Sequence, residues 1–292
     1  MKLYKAVINP ISNFSTPLKG DTFFGQMCWG VKYIYGENKL KTLLQNYDKK
    51  PFLVVSDGFV SGYLPKPKMP SILLGENPDE KKQNRKKVWL SVDDFFVANF
   101  SKAKTNKEVG EDKEIFVVRN SINYKIFTTD ESGFAPYSES EVLLTKKDIY
   151  FLINEEIFSL EEFKKILNFI AISGYGKDTT IGKSRFEVEK IEEFQNKKAK
   201  KFMSLSPIRI EGIEAKNIYY DVFIRFGKLG YERANTNPFK KPIVFADTGS
   251  VFEFEEAKKI DYLGKAIKNI STYEDVVHQG YSIVLGFGGS DE

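Results

Sequence analysis

The residues best equipped for chemistry lie together in Gly174-Tyr-Gly-Lys-Asp-Thr-Thr-Ile-Gly-Lys-Ser-Arg-Phe-Glu-Val188. Gly174, Gly176 and Gly182 allow positive φ and close approach of another chain. Lys177, Lys183 and Arg185 bring cationic donors, and Thr179, Thr180 and Ser184 bring hydroxyls. Such a mixture suits a polyanionic backbone, whose phosphate oxygens accept from N–H groups, hydroxyls and fixed cations together. Gly176 to Ser184 nearly spells the nucleotide-triphosphate loop G-x-x-x-x-G-K-[ST], but one residue too many separates the glycines. The order of elements is also inverted. That motif follows a strand and opens a helix, whereas here a helix is expected before the stretch and a strand after it. A glycine turn that merely joins helix to strand is the competing reading. The expectation carried forward is a loop that holds a nucleic-acid backbone.

The elements around this stretch must supply cores of their own. At 292 residues the chain is long enough for two modest domains or one large one, and 41% hydrophobic content with 14% aromatics excludes global disorder. A net charge of +4 permits nucleic acid as a partner without demanding it. Cys28 is the sole cysteine, which excludes an internal disulfide and fits a reducing compartment. With His278 the sole histidine, the usual nitrogen–sulfur zinc sites are excluded as well. No metal and no cofactor is expected. The N-terminus alternates polar and apolar residues without a signal-peptide core, and no apolar run approaches the roughly 20 residues of a membrane helix. A soluble, cytoplasmic protein with no membrane partner is expected.

Along the chain, residues 2–9 alternate as a strand. Asp21-Thr22 reads as a helix cap before Phe23, Phe24, Met27, Cys28 and Val31, with Gly36 as the stop. Phe52 to Val55 reads as a strand and Leu64 to Pro70 as an extended, proline-bound loop. Residues 75–87, with Lys81, Lys82, Arg85, Lys86 and Lys87, read as a solvated insertion, and 102–114 as a second polar one. Ile115 to Leu144 reads as a hairpin-like excursion with turn chemistry at Phe127 to Gly133. Ile149 to Ile153 is a further strand. Ser159-Leu-Glu-Glu162 is a capping box opening a helix that ends at Gly174, and Phe186 to Phe194 is the closing strand. Without the insertions the order is strand, helix, strand, strand, helix, strand: a ferredoxin-like (RRM-like) βαββαβ unit in an α+β fold. Gln195 to Lys201 is a basic linker, dividing a first domain, 1–195, from a smaller strand-rich one, 202–292. The second domain reads as a degenerate copy of the first, in which only Ala257 to Ile270 suggests a helix.

Several segments together resemble one family. They are the glycine stretch, Gly20-Asp-Thr-Phe-Phe-Gly25, Ser56-Asp-Gly-Phe59 with Tyr63-Leu-Pro-Lys-Pro67, Arg119-Asn-Ser-Ile-Asn123, Asn237-Pro-Phe-Lys-Lys-Pro242 with Gly249-Ser-Val-Phe252, and Val276-Val-His-Gln-Gly-Tyr281. Taken in chain order they resemble the RAMP-superfamily Csm subunit 4 family of type III-A CRISPR effector complexes. The resemblance implies a non-catalytic, antiviral-defence subunit that binds the repeat-derived 5′ handle of the crRNA. It also implies contacts with the large cyclase- or polymerase-like Cas subunit and with the first copy of the repeating backbone RAMP subunit. A thumb-like hairpin that presses on the guide would fall within 115–145, although the insertions at 75–114 could equally supply it.

The rival within the superfamily is an endoribonuclease that processes precursor crRNA. Such enzymes commonly place a histidine near the first helix as acid or base, yet the first 277 residues here contain none. His278, at the edge of an expected strand, reads as structural. Target cleavage by a metal-bound aspartate would have to use Asp21 or Asp57. Asp21 is more simply an acidic residue at a helix N-terminus, Asp57 lies in a strand-ending turn, and neither has a carboxylate neighbour in sequence. A scaffold making only protein contacts would use the 25 Phe and 15 Tyr equally well, but has no need of the basic glycine stretch. No catalytic residue is therefore expected, and the mechanism is positioning. Gly174, Gly176, Lys177, Gly182, Lys183, Ser184 and Arg185 would grip handle phosphates. Arg119, Asn120 and Tyr124 would meet bases or sugar edges, and Lys240 and Lys241 would extend the basic track.

Overall fold

The computed structural model describes residues 1–129 and 136–289. In chain order, β1 (Lys2–Pro10) leads to α1 (Gly20–Tyr35), α2 (Glu37–Gln45) and β2 (Leu53–Val60). A hairpin of β3 (Lys113–Arg119) and β4 (Tyr137–Leu143) precedes β5 (Lys147–Ile153), α3 (Leu160–Ser173) and β6 (Phe186–Glu193). The second half holds β7 (Ala199–Ser204), β8 (Asn217–Tyr219), β9 (Val222–Arg225), β10 (Ile243–Ala246), β11 (Val251–Lys258), β12 (Tyr262–Gly264) and β13 (Tyr281–Phe287).

β2, β5, β1 and β6 form one antiparallel sheet in that order, with Ala6 opposite Ile149 and Val55 opposite Phe151. Every residue of β5 is buried, because both faces of the sheet are covered. On one face, Phe23 of α1 and Phe163 of α3 close on Phe151, with ring centroids at 5.7 and 4.6 Å. Gly30 lets the two helices meet, since a side chain there would begin 2.5 Å from Ile166. The other face takes the second sheet, ordered β8–β11–β7–β13–β12. The Gln279 carboxamide spans the join by bonding both the N–H and the carbonyl of Val55, at 2.9 and 2.8 Å. Met203, Leu205, Ile283 and Leu285 share one hydrophobic core with the helices and the first sheet. The fold is thus mixed α+β, with several antiparallel sheets and few helices.

Most local expectations hold. Gly36 ends α1 with φ 88°, and the Ser159–Glu162 capping box is formed on both sides. β3 pairs with β4 from Lys113↔Leu143 to Arg119↔Tyr137. The turn expected at Phe127 to Gly133 lies in part outside the described residues. Three expectations are overturned, the first being that of a strand-ending turn at Asp57, which lies inside β2 because pairing with β5 resumes at Gly58 after a bulge. The helix suggested at Ala257 to Ile270 is extended chain: β11 runs to Lys258, β12 pairs Tyr262 with Ile283, and Ile267 bridges His278. Cross-strand burial there outweighs the weak helical propensity of the segment. α1 also begins at Gly20, one residue before the expected cap. Asp57 of β2 accepts from the Gly20 N–H at 2.8 Å, so the first turn is closed by a carboxylate from another element.

Candidate nucleic-acid interface

The glycine stretch connects α3 to β6 and is laid against residues 11–16. Gly174 closes α3 at φ 95°, where a Cβ would sit 2.5 Å from the Lys183 carbonyl oxygen. At Gly176, φ 75°, a Cβ would sit 2.5 Å from the Thr16 hydroxyl oxygen. That hydroxyl instead accepts from the Lys177 N–H at 2.9 Å. The Ser184 N–H donates to the Asn13 carbonyl and the Arg185 N–H to the Ser12 hydroxyl, both at 2.8 Å. Tyr175 anchors the whole, fully buried and stacked 5.2 Å from Phe23. Asp178 and Ser184 hold left-handed backbone without being glycine, at φ 64° and 58°. Conformations of that kind persist only where the surroundings enforce them. Ser184 is buried and its Oγ faces the Ser15 N–H, while Gly182 has nothing within 4 Å of where a side chain would begin.

The cations of the stretch face carboxylates. Lys183 Nζ lies 2.6 Å from Glu141, and Lys177 Nζ bonds Glu139. Arg119, at the far end of β3, reaches Glu139 and Glu141 at 2.7 Å each and Asp178 at 3.1 Å. Glu139 and Glu141 alternate along β4 and so share one face of the hairpin. Glu141 is fully buried. Burial opposes its charge, but bonds from Lys183, Asn13 and Arg119 prevail and hold its pKa down to about 2. The network ties the hairpin strands, the glycine stretch and the segment 11–16 into one body. Arg185 is exposed and has no ion-pair partner among the described residues. Asn120 and Tyr124 lie beyond the paired part of the hairpin, both exposed, Tyr124 by 82%.

The remaining sequence candidates fall elsewhere. Lys240 turns inward, with Nζ 3.3 Å from His278 Nδ1, and burial lowers its pKa. His278 Nε2 lies 3.1 Å from Asp21, which also holds Arg225 through two bonds of 2.6 Å. Burial pushes the His278 pKa down and would push that of Asp21 up, but His278 and Arg225 hold Asp21 well below the usual carboxylate range. The chain Lys240–His278–Asp21–Arg225 therefore carries a neutral imidazole that donates from Nε2. Lys241 is exposed. Asp57 bonds Lys19 at 2.8 Å and Thr248 at 2.6 Å. Among the described residues no three His, Cys, Asp or Glu side chains gather as a metal site, and no helix is long and apolar enough to cross a membrane.

Sequence reading missed Glu139, Glu141, Asp178 and the segment 11–16. A signal for the first two was present, since glutamates two apart in a strand must face the same way.

No family model and no curated protein matches the sequence. Solved structures do share the fold. A chain of the Csm1–Csm4 cassette in complex with AMPPNP aligns with a TM-score of 0.60 at 17% identity, covering 99% of this chain and 100% of that one. A chain of the Csm3–Csm4 subcomplex in the type III-A CRISPR–Cas interference complex aligns with a TM-score of 0.61 at 16% identity, again covering 99% and 100%.

Proposed function

We propose that this chain is the Csm4-type subunit of a type III-A CRISPR effector complex, a non-catalytic protein that holds the 5′ handle of the crRNA. The observation that carries this reading is the extent of the fold match. It spans 99% of this chain and whole chains of two assemblies that have Csm4 in common. The same assemblies support the large Csm1-type subunit and the repeating Csm3-type subunit as protein partners. The β2–β5–β1–β6 order, with α1 and α3 on one face, supports a ferredoxin-like core within the RAMP superfamily.

Handle binding rests on the glycine stretch. The backbone there is fixed by the segment 11–16, so little ordering entropy is lost when a strand of RNA docks. Arg185 and Lys177 are exposed on it, Asn120 and Tyr124 are exposed beyond the paired strands of the hairpin, and these four would meet phosphates, sugars and a stacked base. Lys183, Ser184 and Arg119 act one step back, shaping the loop, and Lys241 lies at the margin. Catalysis finds no free group at the obvious acid or base, because His278 is buried and both its ring nitrogens are engaged.

The test compares a handle-bearing guide with a scrambled one, using purified protein at two salt concentrations, for the native chain and for Lys177→Ala/Arg185→Ala. Preference for the handle, weakened in the variant and without RNA cleavage, is the expected result. Equal binding of both RNAs sinks handle recognition. Cut products would instead identify a precursor-processing endoribonuclease.

A further inference from the structure

We infer that the Lys81–Lys87 turn and the cleft beneath it form a second RNA-binding surface, one that takes a single-stranded segment other than the handle. The turn is a one-turn helix, Lys81–Asn84, followed by Arg85, Lys86 and Lys87. Lys81, Lys82, Arg85 and Lys86 are exposed, and none of these cations, nor Lys87, has a carboxylate within 4.0 Å among the described residues. Asp79 and Glu80 are the acidic residues of the same turn, leaving it an excess of positive charge. Free cations of this kind gain affinity for phosphates by releasing counterions from the nucleic acid.

The base of the turn is pinned. Lys66 Nζ donates to the Asn84 carbonyl at 2.8 Å and pairs with Glu76 at 2.6 Å, while the Asn84 carboxamide donates to the Asn77 carbonyl at 3.0 Å. The cations therefore project from a fixed platform. Lys81 and Arg85, four residues apart, both line a cleft of about 770 Å³ that Tyr219 and Tyr220 also line. Tyr220 is 45% exposed, and a tyrosine beside a cationic rim is the pairing that stacks a base while its phosphates are held. Lys68 in the same cleft is already paired with Asp221 and Asp247, at 3.1 and 2.8 Å, so it adds no free charge. Aromatic wall, free cations and a cleft of ligand size together favour a flexible single strand over a duplex, whose stacked bases cannot reach a tyrosine.

The surface is independent of handle recognition, and its test uses an RNA without a handle. Fluorescein-labelled oligouridylate would be titrated into the full-length protein at several salt concentrations. Native protein would be compared with Lys82→Glu/Arg85→Glu/Lys86→Glu and with Tyr220→Ala. The charge reversal is expected to weaken binding by about tenfold or more and to flatten the salt dependence by about 0.7 for each phosphate no longer neutralised. Tyr220→Ala is expected to weaken it several-fold. Matching thermal melts of native and variant proteins would establish that the exposed substitutions leave the fold intact. Unchanged oligouridylate binding in the charge reversal overturns the inference. So does an unchanged RNA affinity accompanied by lost association with a protein subunit, which would make the turn a protein-docking surface.

Discussion

In the glycine stretch, Lys177 and Lys183 are turned into Glu139 and Glu141, and Arg119 bonds both of these and Asp178. In the Lys81–Lys87 turn, the cations have no carboxylate within reach among the described residues. Both regions read as basic in the sequence, yet they hold charge in different states. A paired lysine must give up its carboxylate before gripping a phosphate, so the net gain is small. An unpaired one surrenders only water and loosely held ions. The glycine stretch is accordingly built for shape, with the charges of Lys177 and Lys183 locked into stability, and the turn is built for field. Counting lysines in a motif measures neither.

The comparison breaks most visibly at Glu141. Glu141→Ala leaves Arg119 and Lys183 facing an apolar gap and should cost about 3 kcal/mol of stability in denaturant titration. A cost near that of a surface pair, about 0.5 kcal/mol, would mean the network is solvated and its charges available. Gly176→Ala should come next. It forces a side chain into left-handed backbone against Thr16 and should cost about 2 kcal/mol. An unchanged melting temperature would deny that residues 11–16 fix the loop.

Acid titration separates two further contributions. The Glu141 pKa is lowered on folding from 4.5 to about 2, so its stabilising share is complete above pH 4.5 and lost as pH falls towards 2. Glu141→Gln should flatten that limb of the stability curve. The His278 pKa is also lowered on folding, from 6.5, so the unfolded chain takes up its proton first and stability falls as pH drops through that value. His278→Gln should remove this step. The smallest expected effect sharpens the comparison directly. Glu139→Gln frees Lys177 and part of Arg119, and should tighten handle binding about threefold while steepening its salt dependence. Unchanged affinity would mean that these cations never face the RNA.

Much of the fold was legible because its signals are short-range. The alternation of β1, the capping box of α3, the glycine stop of α1 and the helix–loop–strand frame of the glycine stretch are each set within a few residues by sterics and hydrogen bonding. The misreadings came where distant residues decided. Ala257 to Ile270 carries an ambiguous pattern, and only the presence of β13 beside it selects extended chain. The start of α1 was set by Asp57, 37 residues away from Gly20.

The candidate site divides along the same line. The sequence by itself determined that a glycine-rich, hydroxyl-rich and basic loop follows a helix and precedes a strand, since glycine spacing and capping are properties of neighbours. Tertiary structure alone decided which of its cations are spent. Whether Lys183 meets Glu141 or solvent, and whether His278 meets Asp21 across 257 residues, depends on the packing of separate elements. Electrostatic pairing acts over a few ångströms in space, and distance along the chain carries almost no information about it.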